Sequence, residues 1–220
     1  MHVHFYAHAC FRLEGNGLSF ITDPYTPSVS RFDPVGETCD VVLMSSADDR
    51  FHSDASQVPG APRIVNALDI GPQGLALDGV TIRAYPNREN KPAAEAADNA
   101  MYGLTLDGVR VLHMGDAGHL PSADQIAALA GQVDVLFALT GGLPTIPLDD
   151  LDTFIAAIRP RLVIPMHYHS SKGVLNILPV TAFTDRYPAG QVTRLDVSSL
   201  QVMPDTLPGE MRIVVLQQSR

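Results

Sequence analysis

The sequence predicts an α/β protein in which two mixed β-sheets pack together with helices on the outside. Three observations predict it. Residues 1–114 supply a run of short strand patterns punctuated by the tight-turn signals Gly15-Asn16-Gly17 and Asp107-Gly108. Residues 122–216 alternate helical and strand patterns. The segment 41–44, Val-Val-Leu-Met, is apolar throughout, as expected of a strand covered on both faces. Strands first and strand–helix units after them suit two packed sheets, although composition alone leaves other α/β layouts open.

The elements follow in order. Residues 2–6 alternate, with Val3 and Phe5 on one face and His2, His4 and Tyr6 on the other. A hairpin joins 10–13 to 18–22, which Asp23-Pro24 terminates. Further strands are expected at 63–66, 80–85, 101–106 and 109–114, and 92–98 reads as a mobile loop. Ser122 is positioned to cap a helix through Leu129, with Gln125 completing a capping box. A strand over 133–139, a helix over 148–158 that stops before Pro160, and a strand over 162–165 come next. Residues 175–187 read as helix interrupted by Pro179, and 192–195 and 212–216 as closing strands.

At 220 residues with 45% hydrophobic content, the chain suits a single globular domain, 1–220, with a sizeable core. A formal net charge of -9 argues against a nucleic-acid partner. No apolar stretch reaches the length of a membrane span, and no signal peptide is evident at the N-terminus. The two cysteines, Cys10 and Cys39, read as buried thiols in a reducing compartment, so a cytoplasmic location is expected. There is no nucleophile elbow, and Gly141-Gly142 is too little for a phosphate loop.

Several segments resemble the metallo-β-lactamase superfamily, and within it a small lactonase-like branch. They are His8-Ala-Cys-Phe11 with Ile21-Thr-Asp-Pro24, Asp40 to Ser45, His113-Met-Gly-Asp116-Ala-Gly-His119, Val133-Asp-Val-Leu136 with Gly141-Gly142, and Val163-Ile-Pro-Met-His167-Tyr168. They keep the family's order and span roughly residues 1 to 200. The resemblance implies a four-layer αββα sandwich. It also implies a metal site for zinc, manganese, iron or nickel, whose bound water would be acidified to give hydroxide near neutral pH.

The family's metal loop, H-x-H-x-D-H, is degenerate here. By resemblance its positions fall on Ser46, Asp48, Arg50 and Phe51. A later His falls among Pro86, Asn87, Arg88 and Glu89, the bridging Asp on Asp116 and the final His on His167. A register shifted by one residue puts Asp49 at the second position and His52 at the last. The metal candidates are therefore Asp48, His52, Asp116 and His167. Asp48 and His52 would share one face of a helical turn. If Asp48 lies about 4 Å from Asp116, the two carboxylates repel by roughly 4 kcal/mol at an effective dielectric near 20, and a cation must offset this. Arg50 is the candidate cation, its guanidinium taking the metal's place, and the alternative sends it into solvent. Asp49, Arg50 and His119 are the catalytic candidates. His8, Asp23 and Asn87 are candidates for orienting the ligands. Period two puts His113 on the opposite face from Asp116 unless the strand has ended.

Two functions follow from these residues. One is a metal-dependent hydrolase acting on a small ester, lactone or phosphate-bearing substrate. The other is a non-catalytic relative that has lost its metals and binds a small molecule or a protein partner. A catalytic zinc site needs three protein ligands and an open position, so the ligand count decides between them. Assembly into a homo-oligomer is left open.

Overall fold

The computed structural model describes residues 1–47, 49–91 and 97–220. Asp48 and most of the loop expected over 92–98 lie outside the described residues. The described strands are β1 (His2–Ala7), β2 (Cys10–Gly15), β3 (Leu18–Thr22), β4 (Val41–Met44), β5 (Arg63–Asn66), β6 (Leu75–Leu77) and β7 (Val80–Arg88). They continue as β8 (Asp98–Leu106), β9 (Val109–His113), β10 (Val135–Leu139), β11 (Leu162–Met166), β12 (Val192–Arg194), β13 (Ser199–Gln201) and β14 (Arg212–Val215). The helices are α1 (Pro27–Ser30), α2 (Ala123–Leu129), α3 (Leu148–Ile158) and α4 (Val180–Thr184). None of the described helices is long and apolar enough to cross a membrane.

Two mixed sheets form, with strand orders β13-β1-β2-β3-β4-β5 and β12-β14-β11-β10-β9-β8-β7-β6. In the first, β3, β4 and β5 run parallel. In the second, β9, β10, β11, β14 and β12 run parallel, and β8, β7 and β6 are antiparallel. Helices cover the outer faces, giving the expected four-layer sandwich.

The apolar run of β4 shows why two layers are needed. Val41 and Leu43 face the core between the sheets. Val42 and Met44 face a second cluster with Tyr6, Cys10, Ile21, Tyr25 and Phe32. Successive side chains of a strand point to opposite faces, so an all-apolar strand requires cover on both. Phe11 of β2 meets Phe137 of β10 with ring centroids 4.5 Å apart, a direct contact between the sheets.

The helices follow their sequence signals. Ser122 and Gln125 form the reciprocal capping box at the start of α2. Leu151, Phe154, Ile155 and Ile158 of α3 are buried, at the spacing of one helical face. Residues 175–187 are the exception, because only Val180–Thr184 is helical, with Pro179 at the cap. The proline ring disfavours helical geometry in the residue before it, so the helix cannot extend upstream.

Strands β7 and β8 are longer than expected, pairing Arg88 with Asp98 at their far ends. Asp98 therefore belongs to a strand rather than a loop. The short edge strands β6 and β13 carry too few residues to leave a periodic signal.

Candidate metal centre

The parallel strands of both sheets end on one side of the sandwich, and the loops that leave them converge there. Such carboxyl ends are where α/β sheets place their sites. Asp23 follows β3, residues 45–52 follow β4, Asp116 follows β9, and His167 follows β11. His8 joins them from the turn between β1 and β2. His8, Asp23 and His167 all adopt left-handed backbone, at φ 60°, 38° and 51°. Non-glycine residues hold such geometry only where their surroundings impose it. One imposed contact is the 2.8 Å hydrogen bond that the His167 N–H donates to the His8 carbonyl.

Asp23 is fully buried and anchors the centre. Its carboxylate accepts from the Ser45 N–H at 2.8 Å and from the Ser45 hydroxyl at 2.7 Å. It also meets Nδ1 of His52 at 3.1 Å and the Tyr102 hydroxyl at 3.4 Å. The only proton available to the Asp23–His52 contact is the one on Nδ1. Nδ1 thereby keeps its proton, and Nε2 is the nitrogen that would give up its own and offer a lone pair to a metal ion, in the way that carboxylates orient metal-binding imidazoles.

That Nε2 lies 3.6 Å from Oδ1 of Asp116, and Nε2 of His167 lies 3.3 Å from the same oxygen. The His8 ring sits 4.0 Å from that of His167 and 4.9 Å from that of His52. Donor atoms of His8, His52 and His167 lie within 4.8 Å of one another, and so do those of Asp49, His52 and Asp116. His52 belongs to both groups.

The fit to a metal rests on four atoms. Nε2 of His8, Nε2 of His52, Oδ1 of Asp116 and Nδ1 of His167 are buried without a hydrogen-bond partner. Each such atom costs about 1–3 kcal/mol if left unsatisfied. Nitrogen and carboxylate donors gathered at this spacing suit a divalent cation.

Charge is arranged accordingly. Burial works against protonation of His52, yet the carboxylates of Asp116, Asp23 and Asp49 outweigh it and push its pKa up to about 10. Burial also opposes ionisation of Asp116, but His52 and His167 hold it below the usual carboxylate range. His8 is driven well below the usual imidazole value by burial and by its two histidine neighbours.

Asp49 opens a single helical turn, its carbonyl accepting from the N–H groups of His52 and Ser53. Three residues apart on one turn, Asp49 and His52 face the same side. Asp49 and His52, the residues of the shifted register, thus stand together with Asp116, and His52 is buried although its neighbours read as loop. Arg50 is exposed and makes no ion pair among the described residues. Its guanidinium makes no ion pair with Asp116, and its other expected partner, Asp48, lies outside the described residues. A side chain on the outward side of a one-turn loop reaches water more readily than a buried carboxylate.

Asn87 and His119 lie to one side. The Asn87 side-chain amide donates to the His119 carbonyl at 3.1 Å. Both border a groove of about 550 Å³ with Leu68, Asn99 and Gln125. Asn99 links this groove to the centre, since its Oδ1 accepts from the Asp116 N–H at 2.8 Å. His119 itself is exposed and makes no contact with the histidine cluster among the described residues. Asp48 lies outside the described residues.

The sequence alone assigned no role to Glu89. Glu89 is only 4% exposed, and its carboxylate pairs with the Lys91 ammonium at 2.6 Å. Burial and the nearby Asp116 carboxylate raise its pKa. The available signal was an acid in the stretch where the family places its later His. His113 resolves differently. It is fully buried, with Nε2 2.9 Å from the Ala9 carbonyl and Nδ1 accepting from the Gly115 N–H at 3.0 Å. Both ring nitrogens are satisfied, so it serves the core.

The β-lactamase superfamily domain family matches residues 2–167 of the chain. A UPF0173 protein of Pyrococcus abyssi is 30% identical over 190 residues, covering 79% of this chain and 86% of the relative. A UPF0173 metal-dependent hydrolase of Thermoplasma acidophilum is 26% identical, covering 75% of this chain and 82% of the relative. Among solved structures, a metallo-β-lactamase superfamily protein of Thermotoga maritima superposes with a TM-score of 0.77 at 26% identity. It covers 98% of this chain and 97% of its own.

Proposed function

The chain belongs to the β-lactamase superfamily domain family, and from that premise we propose that it is a hydrolase working with a divalent ion held by His52, Asp116 and His167. Two overlapping groups of donors within 4.8 Å of one another, His8, His52 and His167 and then Asp49, His52 and Asp116, carry this reading. The relatives named as metal-dependent hydrolases support it, as does the Thermotoga protein, whose name makes it a candidate zinc-dependent hydrolase.

A divalent ion in this place supplies Lewis acidity and lowers the pKa of a water molecule toward neutrality. The protein does the rest. Asp23 fixes the His52 ring and its tautomer. His8 offers a further donor within 4.8 Å of those of His52 and His167, and Asp49 one within 4.8 Å of those of His52 and Asp116. Zinc, manganese, iron and nickel all suit imidazole with carboxylate.

The substrate in this reading is a small ester, lactone or phosphate-bearing molecule. The groove bordered by Asn87, Asn99 and His119 is the proposed approach, and its size suits a small molecule.

Elemental analysis of protein purified without chelators tests the reading. Bound metal in near-stoichiometric amount is expected, lost in His52→Ala and His167→Ala. Ester, lactone and phosphodiester hydrolysis should fall with chelation and return with the metal. Protein that takes up no zinc, manganese, iron or nickel would overturn the reading and leave a non-catalytic binding protein.

A further inference from the structure

We propose that the Ser46 hydroxyl and the Asn99 side-chain amide form a two-donor site for the acyl oxygen of the substrate, beside Asp116. The proposal rests on the hydrolase reading above and narrows its substrates to esters and lactones.

Unsatisfied atoms locate the site. Eight side-chain nitrogen and oxygen atoms among the described residues are buried without a hydrogen-bond partner. Four belong to His8, His52, Asp116 and His167, where a metal ion would account for them. Two more are Oγ of Ser46 and Nδ2 of Asn99, on residues 3% and 0% exposed. They stand together, because Ser46 and Asn99 form an antiparallel β-bridge. Opposite residues of such a pair present their side chains on one side, with Cβ atoms about 4.5–5.5 Å apart. A single atom between the two groups can meet both.

Hydrogen bonds hold both residues against the centre. Oδ1 of Asn99 accepts from the Asp116 N–H at 2.8 Å, which identifies the oxygen of this amide and leaves Nδ2 free to donate. Nδ2 of Asn66 donates to the Ser46 carbonyl at 3.0 Å, and the Ala100 N–H donates to the Ser45 carbonyl at 2.9 Å. A Cβ at position 115 would stand 2.4 Å from Cβ of Ser45 and 2.6 Å from Oδ1 of Asn99. Only glycine, here at φ 59°, lets the Asp116 turn close on the bridge. Asn99 also borders the groove proposed as the approach.

The chemistry of the two groups selects the ligand. An amide nitrogen has no lone pair for a metal ion, so a further cation would leave Nδ2 unsatisfied. An acceptor oxygen satisfies it and takes the Ser46 hydroxyl proton in a second hydrogen bond. By resemblance, Ser46 stands where the family's loop carries its first His, so a hydrogen-bond donor replaces a metal ligand. Both donors are neutral, and Asp116, to which Asn99 is bonded, carries a carboxylate. A neutral carbonyl suits that setting better than a phosphate, whose charge the carboxylate repels. In the hydrolysis, water adds to the acyl carbon, the bond to the leaving oxygen breaks, and that oxygen receives the proton that water gives up. Negative charge gathers on the acyl oxygen on the way, and two fixed donors favour that state over the starting carbonyl.

Binding of 2-pyrrolidinone to metal-loaded protein at pH 8 tests this. The lactam presents the carbonyl of a five-membered lactone and resists hydrolysis. Labelled with carbon-13 at the carbonyl, it should show an infrared stretching band at lower wavenumber when bound to the natural chain than in water-free reference solvent, with a smaller displacement in Ser46→Ala. Titration of the same band should give a dissociation constant about threefold weaker for Ser46→Ala and about tenfold weaker for Asn99→Asp, with Ser46→Thr close to the natural chain. Asn99→Asp keeps the oxygen that the Asp116 N–H needs, so metal content should match in all four proteins. Inorganic phosphate should bind Ser46→Ala as it binds the natural chain. No lactam binding to the natural chain, or equal affinities and band positions in the natural chain, Ser46→Ala and Asn99→Asp at matched metal content, would overturn the proposal and spare the hydrolase reading. Weakened phosphate binding with unchanged lactam binding would do the same. No uptake of zinc, manganese, iron or nickel by the natural chain would overturn the hydrolase reading and this proposal with it.

Discussion

Asp23 and His52 are hydrogen-bonded in the protein interior, Oδ2 to Nδ1 at 3.1 Å, with neither side chain more than 1% exposed. Asp23 leaves β3 in left-handed backbone, and that turn aims its carboxylate under the loop that carries His52. The contact decides which imidazole nitrogen keeps its proton when a metal ion takes the place of the other. It connects a sheet end to the chemistry of the cluster.

Asp23→Asn should therefore weaken metal binding without removing a ligand. Its Oδ1 can still accept from Ser45, but its amide would donate toward Nδ1 of His52. The proton would then shift to Nε2, the atom needed for coordination. Loss of an orienting partner of this kind lowers affinity about 10–100-fold. Competition with a chromogenic chelator measures it. An unchanged dissociation constant in folded Asp23→Asn would show that the pair does not set the tautomer.

His113 should behave in the opposite manner. His113→Phe keeps an aromatic ring beside Tyr102, which it now stacks on at 4.8 Å, but leaves the Ala9 carbonyl and Gly115 N–H without partners. About 2–4 kcal/mol of stability should be lost, a drop in Tm on the order of 5–15 °C. Metal content of the folded protein at low temperature should not change. Loss of metal with an unaltered Tm would instead make His113 a ligand.

Asp134 offers a pH test away from the metal centre. Its carboxylate accepts from Nε and Nη2 of Arg110 at 2.9 and 2.8 Å, and from the Arg110 N–H at 2.9 Å. Burial opposes its ionisation, yet these contacts hold its pKa below the usual value. A depressed folded pKa contributes stability that is fully present above the unfolded value and lost as pH falls through the folded one. Asp134→Asn should cost about 1–2 kcal/mol near neutral pH, a figure kept modest because Arg110 reaches solvent. The gap between the two proteins should narrow only below about pH 4. Urea unfolding from pH 7 to pH 3 measures it, and a gap that stays constant across this range would refute the assignment.

Much of the fold is legible in the residues themselves. The boundaries of β3, β4, β5 and α3 coincide with the expected segments, because turn glycines, prolines and unbroken apolar runs mark them locally. The ends of β7 and β8 are not legible, since Pro86, Asn87 and Asp98 are poor strand formers that enter the sheet only through pairing with each other's strand. Pro179 is legible as a helix interruption, but that it confines the helix to Val180–Thr184 is decided by the structure.

The sequence by itself determined the strand and helix segments, through apolar periodicity and turn signals, and its resemblance to the family pointed to the sandwich, Asp116 and His167. Only the tertiary structure decided how the centre is built. His8 and His52 stand 44 positions apart, yet their rings meet at 4.9 Å because the β1–β2 turn and the loop after β4 end on the same side of one sheet. Arg50 and Lys91 are both cations near acidic residues in the sequence. Both reach solvent, yet among the described residues only Lys91 has an ion-pair partner, Glu89, because a charge's partners are set by which residues the fold brings alongside it.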